Sequence, residues 1–559
     1  MPLVERGPAE TGVTSAGALT RFLSESSSIG KGEAARISIT FSALMAVISA
    51  VLVPSRMLLR TGPQDDGPVF AYIGWAMHRG LMPYRDIWDH KGPLLYYLQF
   101  AGFSLSPNST IGIGALELIA FSIGFFLLYR VIASFASRLV GVGIAAFSVT
   151  FVLHFFGGGN MTESWSLLPL AAAHYACWRW SKRRSTWCTV VIAVCFACIF
   201  WLRANITMYP LVALLVVLYA TQKIEGPVRA MKEFILAVAA GLVFSALIVA
   251  PLYHWGVFHD FVAAYFGYNA AYSNGLSLAS RFEHTNQLLG QLILLAIAVL
   301  GTAGWALCIG EWRHTTQVDG VLPSLYLRVL LLSLPFELAA ATLSGRDYPH
   351  YLLPLFPTLV VFAAWFLSEL EKQCKIPARP ALIISLLLGF CALSLTTYSA
   401  DFSRSMEPTH SEYLMVARFV RRATTDSDRI TVVGEPDAAF ITFLAGRLPA
   451  SRFVYQLPLI DVNNPRAGEQ RQQFMCDLAK NRPAVIVSGD PIMGILCASK
   501  LDCLQPKSQP PVSEYGYQST ILPKLLRDVI ASEYHQVSDP RFGVFKVLIR
   551  KDIAIPTQW

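Results

Sequence analysis

Between Asp65 and Tyr97 the chain reads DDGPVFAYIGWAMHRGLMPYRDIWDHKGPLLYY. Val69, Phe70, Ile73, Trp75, Ala76 and Met77 follow helical spacing, Pro83-Tyr84 breaks the pattern, and a second apolar stretch runs from Leu94 to Phe103. Neither stretch is long enough to cross a bilayer, which takes about 20 apolar residues. Both are therefore expected to lie along the membrane surface. Acidic, basic and histidine side chains crowd the same segment, while long apolar runs stand on either side of it.

Those flanking runs set the class. Of 559 residues, 54% are hydrophobic and 15% charged, and mean hydropathy is +0.47. A soluble domain carries roughly 25% charged residues. Disorder is excluded and one large soluble enzyme is disfavoured. The expected fold is a polytopic α-helical membrane protein. Eleven spans are expected, at 37–58, 111–130, 139–156, 164–180, 186–202, 205–222, 234–254, 286–308, 325–343, 351–369 and 381–399.

Charge orients these spans. With the N-terminus cytoplasmic, the inside loops gather Arg130, Arg138, Arg179, Lys182, Arg183, Arg184, Lys223, Arg229, Lys232, Arg313, Lys372, Lys375 and Arg379. An odd number of spans then carries the C-terminus outside. Residues 1–36 read as a flexible cytoplasmic tail without the apolar core of a signal peptide. Residues 37–399 form the membrane domain, with an external loop at 60–110, and residues 400–559 an extracytoplasmic α/β domain. In that domain Glu412–Arg422, Glu469–Asn481 and Leu522–Ser532 read as helices, and Arg429–Val433, Ala484–Val487 and Val544–Ile549 as strands. A second external segment, about 255–285, is rich in aromatics from Trp255 to Tyr272 and is expected to anchor at the interface.

The formal charge of +8 is spread over short loops, not gathered in a basic block, so nucleic acid is not an expected partner. No glycine-rich nucleotide motif appears. Cys195 and Cys198 lack a second ligand pair for zinc. Among Cys476, Cys497 and Cys503 one disulfide is allowed.

The first external loop carries the chemistry. A carboxylate can take a proton from an incoming hydroxyl, and a nearby cation can neutralise a leaving phosphate. The same charges also fit a solvated surface, with Asp65-Asp66 opening a helix as caps.

The Asp65–Tyr97 stretch resembles the first external loop of GT-C fold glycosyltransferases, a family that includes bacterial relatives of protein O-mannosyltransferases and the aminoarabinose transferase of lipid A. Asp66, Phe70, Ala71, Ile73 and Met77 fit the family's acidic pair and following helix. His90-Lys91-Gly92-Pro93-Leu94 resembles its acidic-Lys-Pro-Pro-Leu motif, but His90 stands where some members carry Glu and Gly92 replaces the first Pro. Gly157–Glu163, Leu202–Asn205 and the Arg346–Pro354 stretch resemble further motifs of the family.

The resemblance implies an integral glycosyltransferase of a bacterial inner membrane. It would move a hexosyl or pentosyl group from a polyprenyl-phosphate-linked donor to an external glycan, lipid or protein acceptor. Inverting single displacement is expected. Asp66 would be the base, with Asp65 as the alternative. Lys91, Arg203, Asn205, Arg346, His350 and Tyr351 would bind donor phosphate and sugar. Asp86, Asp89, His90, Asn160 and Glu163 would support them. A divalent metal is left open and no ligand for one is assigned. Two other classes stay open: a transporter of polyprenyl lipid or polysaccharide, and an inactive assembly protein with the same fold.

Overall fold

The computed structural model describes residues 31–59, 66–274, 277–293, 295–311, 324–373, 395–404, 411–434, 439–461, 464–488 and 532–557. The principal helices of the first part, in chain order, are α1 (Lys31–Val51), α2 (Gly67–Met77), α3 (Pro93–Leu105), α4 (Ile111–Ile132), α5 (Arg138–Phe155), α6 (Thr162–Arg183), α7 (Thr186–Leu202), α8 (Met208–Glu225), α9 (Pro227–His254), α10 (Leu278–Leu292), α11 (Ala296–Glu311), α12 (Ser324–Thr342) and α13 (Phe356–Gln373). Nine of the first ten expected spans each fall largely on one helix, and the stretch at 286–308 falls on two. The eleventh lies mostly outside the described residues.

Six helices among the described residues are long and apolar enough to cross a membrane, or seven if a bent pair counts as one. That is short of eleven, for physical reasons. The apolar part of α1 and the whole of α7 are short. Helix α6 carries Glu163, His174 and a basic end. The stretch expected as one span at 286–308 is broken, with α10 and α11 meeting at 103°. Where the bundle is tight, glycine makes it so: a Cβ at Gly301 would lie 2.7 Å from the carbonyl oxygen of Leu359, and one at Gly304 2.5 Å from that of Phe362. Helices α11 and α13 thus approach backbone to backbone.

The first external loop departs from expectation. Every residue of α2 is buried, so this helix lies inside protein and not along a lipid surface. It crosses α3 so closely that a Cβ at Gly74 would stand 2.3 Å from Cβ of Gln99. Its far side packs against the C-terminal part of the chain.

That part contains α14 (Ser411–Ala423), α15 (Ala439–Ala445) and α16 (Ala467–Asn481) around a five-stranded sheet. The strands are β1 (Arg429–Val433), β2 (Leu448–Pro449), β3 (Val485–Ser488), β4 (Tyr534–Val537) and β5 (Lys546–Arg550), in the order β2-β1-β3-β5-β4. Pairing is parallel through β2-β1-β3 and antiparallel at β5 and β4. The side-chain period of two divides the sheet's work. Ile430, Val432, Val485, Val487, Val547 and Ile549 bury against Val416, Phe419 and Val420 of α14. Val433, Ile486 and Leu548 join the core that holds α2, α3 and the first loop. The sheet is therefore continuous with the loop beneath it. The expected helix at Leu522–Ser532 falls almost wholly outside the described residues, as do Cys497 and Cys503.

Candidate functional site

Asp66 and Lys91 stand immediately before two helices that begin alike. Pro68 and Pro93 occupy first-turn positions of α2 and α3, where a missing N–H costs nothing and φ is already helical. The Asp66 side chain makes no capping hydrogen bond to α2. It turns to Lys91, with Nζ 3.2 Å from Oδ2. Gly92 sets the height of Lys91. Its N–H donates to the carbonyl of Leu202 at 3.3 Å, and a Cβ there would lie 1.9 Å from the carbonyl oxygen of Trp201. Its φ of −69° suits any residue, so contact and not conformation demands glycine. The departure from proline at this position has a local cause.

Behind Lys91 sits a buried polar knot. Asp89 is 2% exposed and accepts from Tyr96 at 2.6 Å and from Tyr455 at 2.8 Å. His90 Nδ1 lies 3.3 Å from Oδ1 of Asp89, and its Nε2 lies 3.4 Å from Lys91 Nζ. Burial alone would raise the Asp89 carboxyl, but the hydrogen bond to His90, the charge of Lys91 and the Tyr96 hydroxyl outweigh it and hold it well below the usual carboxylate range. Burial and the adjacent Lys91 charge push His90 below the ordinary histidine value.

The wall opposite comes from the bundle. Arg203 follows the last residue of α7 and pairs with Glu163 at the start of α6. Its Nε donates to Asn205 at 2.9 Å, and its guanidinium lies 3.9 Å from the ring centre of Tyr351. Asn205 in turn donates to the carbonyl of Ala340 at 3.1 Å. A cavity of about 270 Å³ opens here, lined by His90, Lys91, Arg203, Asn205 and Tyr351, together with Leu202, Ala204, Tyr265, Phe266, Asn269, Ala270, Tyr272, Leu343 and Ser344. One space thus unites residues from three separate sequence motifs and from the aromatic segment, with Asp66 beside it through Lys91.

The other expected site residues do not line the cavity, although His350 stays within electrostatic reach of Arg203, Asp66 and Lys91. Arg346 is 1% exposed and stacks on Tyr272 at 4.5 Å, behind the cavity wall. His350 lies between Tyr348 and Tyr351, at 5.7 and 4.9 Å between ring centres. Asp86 binds Arg85 and accepts from the Met82 N–H at 2.8 Å, a turn contact away from the cavity. Asn160, at φ +60°, donates to the carbonyl of Gly67 at 3.1 Å and accepts from Gln99 and Trp165. It braces the start of α2 and does not face the cavity. Asp65 lies outside the described residues.

Some participants escaped the sequence reading. Tyr265 and Tyr268, expected at the lipid interface, are 5% and 6% exposed. Tyr265, Phe266 and Tyr272 line the cavity, and the aromatic stripe was the signal that could have found them. Asn269 donates to the carbonyl of His90 at 2.9 Å. Glu117 accepts from Ser55, Ser164 and the Asn160 N–H. Tyr455 reaches in from the C-terminal part with no sequence signal at all. Among the described residues no three His, Cys, Asp or Glu side chains are grouped to hold a metal ion.

A family model described as "Putative competence-induced protein Ccs4 N-terminal domain" matches residues 25–379. No curated protein matches the sequence. Among solved structures, the chain is similar to ArnT from Cupriavidus metallidurans bound to undecaprenyl phosphate, with TM-score 0.55 and 14% identity over 91% of this chain and 97% of that one. The apo state of the same protein gives TM-score 0.54 and 13% identity over 92% and 98%. A looser likeness, TM-score 0.49 and 14% identity over 81% and 68%, is to the Archaeoglobus fulgidus oligosaccharyltransferase in complex with Zn and sulfate. The fold is GT-C and the protein is an integral membrane protein.

Proposed function

The chain belongs to the family of the competence-induced protein Ccs4 N-terminal domain, and on that premise we propose that it is a membrane glycosyltransferase. Its donor is a sugar linked to polyprenyl phosphate, and its acceptor is an extracytoplasmic hydroxyl on a glycan, lipid or protein. The observation that carries this reading is the Asp66–Lys91 pair beside a cavity that also exposes Arg203, Asn205 and Tyr351. The undecaprenyl phosphate bound in the similarly folded ArnT supports the donor class.

In this reading the donor phosphate lies against Lys91 and Arg203. A planar guanidinium can offer two N–H groups to two phosphate oxygens. Glu163 holds the Arg203 fork and Tyr351 backs it, so its orientation is fixed before the donor arrives. The sugar occupies the aromatic and amide wall of Tyr265, Tyr272, Asn205 and Asn269. Asp66 accepts the acceptor's proton as the hydroxyl oxygen bonds to the anomeric carbon. The anomeric C–O bond to phosphate breaks, and its electron pair leaves with the lipid phosphate. The cations neutralise the charge that grows there. One displacement inverts the anomeric centre. The fold and cavity support a carboxylate paired with a lysine at this point.

The test is transfer in proteoliposomes from a labelled polyprenyl-phosphate sugar, with product anomer determined by NMR. Inverted product supports the reading. Retained configuration would require a covalent intermediate and would overturn the single displacement.

A further inference from the structure

The polar chain that begins at Asp66 does not end at Lys91. Lys91 Nζ lies between Asp66 Oδ2 at 3.2 Å and His90 Nε2 at 3.4 Å. The other ring nitrogen of His90 faces Asp89 at 3.3 Å. Asp89 is pinned by two tyrosine hydroxyls, one from α3 and one from the C-terminal part of the chain. Asn269 fixes the His90 backbone by donating to its carbonyl. This is a carboxylate–imidazole pair whose free nitrogen points along a row of hydrogen-bonding groups, and His90 itself lines the cavity. An imidazole oriented in this way carries its proton on Nδ1 and offers a lone pair at Nε2.

We infer that His90, oriented by Asp89, is a proton-relay residue that empties Asp66 after each transfer. The inference rests on the transferase reading above and adds a second titrating group to it. After displacement Asp66 holds the acceptor's proton. Its O–H bond breaks toward Lys91 while one ammonium N–H of Lys91 passes to His90 Nε2. Asp66 returns to carboxylate and Lys91 to ammonium. His90 becomes an imidazolium facing the Asp89 carboxylate. No oxidant, reductant or co-reactant enters, and the proton leaves to water through the cavity that His90 lines. The groups facing His90 are Asp89, Lys91 and Asp66, with Tyr268 and Tyr272 against its ring and the Tyr455 hydroxyl at 3.3 Å from Nδ1. A relay must be neutral to accept. Burial and Lys91 favour that form, so the acid limb of the rate lies below the ordinary histidine value of 6.5.

The experiment uses the full chain in proteoliposomes with a labelled polyprenyl-phosphate sugar, over a range of pH. In His90→Gln the amide keeps a hydrogen bond but takes no proton. We expect kcat to fall about 100-fold, the scale of lost general acid–base catalysis, with donor KM little changed and the His90-dependent acid limb gone. In His90→Gly, added imidazole should restore turnover. Near-normal kcat in His90→Gln overturns the relay. So does a loss that leaves the acid limb where it was, since that marks a packing role. If the unaltered protein transfers no sugar, the transferase reading falls and the relay with it. If it transfers while His90→Gln is undiminished, only the relay falls.

Discussion

Arg203 and Glu163 show how much one residue's meaning depends on its partner. Glu163 is 1% exposed at its side chain and Arg203 15%. Truncating Arg203 alone strands a buried carboxylate, which costs about 3–5 kcal/mol. The double variant Arg203→Ala with Glu163→Ala should therefore unfold at a higher temperature than Arg203→Ala, measured by thermal unfolding in detergent, while both lose transfer. Asp89 bears on acid stability. Its folded pKa is lowered, so its contribution is present above the unfolded value of 3.8 and is lost as pH falls below it. Asp89→Asn should reduce stability at neutral pH and flatten the fall at acid pH in the same assay. At this scale the sequence was partly legible. Asp66, Lys91, Arg203, Asn205 and Tyr351 stand in motifs at helix ends, where function is often read. Tyr455 contacts Asp89 across 366 residues, and no local pattern announces such a pairing.

Helices were read well because their apolar period is strong, and their surroundings were read less well. A helix of three apolar turns looks interfacial from its sequence, yet α2 is buried on every side because α3 and α15 pack against it. The break between α10 and α11 was not visible, because a continuous apolar pattern persists through a bend of 103°. Gly92 is the informative element boundary. With its absent Cβ only 1.9 Å from the Trp201 carbonyl, Gly92→Ala must push the start of α3 away from the end of α7. Such overpacking costs roughly 1–3 kcal/mol. Transfer should fall further than stability does, because Lys91 moves with the displaced backbone. Gly80→Ala gives a contrast, since nothing lies within 4 Å of its added carbon, although its φ of +84° adds backbone strain. A Gly92→Ala variant with full activity and unchanged melting would contradict the account of this junction.

For the whole molecule the decisive feature is that loop and bundle meet at one cavity while the C-terminal part holds the loop in place. The Trp88 N–H donates to the carbonyl of Arg452 at 2.7 Å, and Tyr72 donates to that of Arg447 at 3.0 Å, so the C-terminal part is fastened to the loop that carries Lys91. Tyr455→Phe should loosen that link and lower kcat by at most about 10- to 100-fold, the scale of one hydrogen bond to a charged group. From the distribution of basic loop residues we propose that the sheet lies outside the cytoplasm. A cysteine at the exposed Arg466 position should then react with an impermeant reagent in intact spheroplasts; protection until lysis would move the cavity to the wrong face. The central claim is that Asp66 accepts a proton during sugar transfer. Its most direct measurement is single-turnover transfer of a labelled sugar from polyprenyl phosphate by the unaltered protein and by Asp66→Asn, with donor binding measured alongside. The account expects transfer by the former, and in Asp66→Asn a loss of about 100-fold or more in rate with donor binding retained. Transfer by Asp66→Asn at the unaltered rate would contradict it.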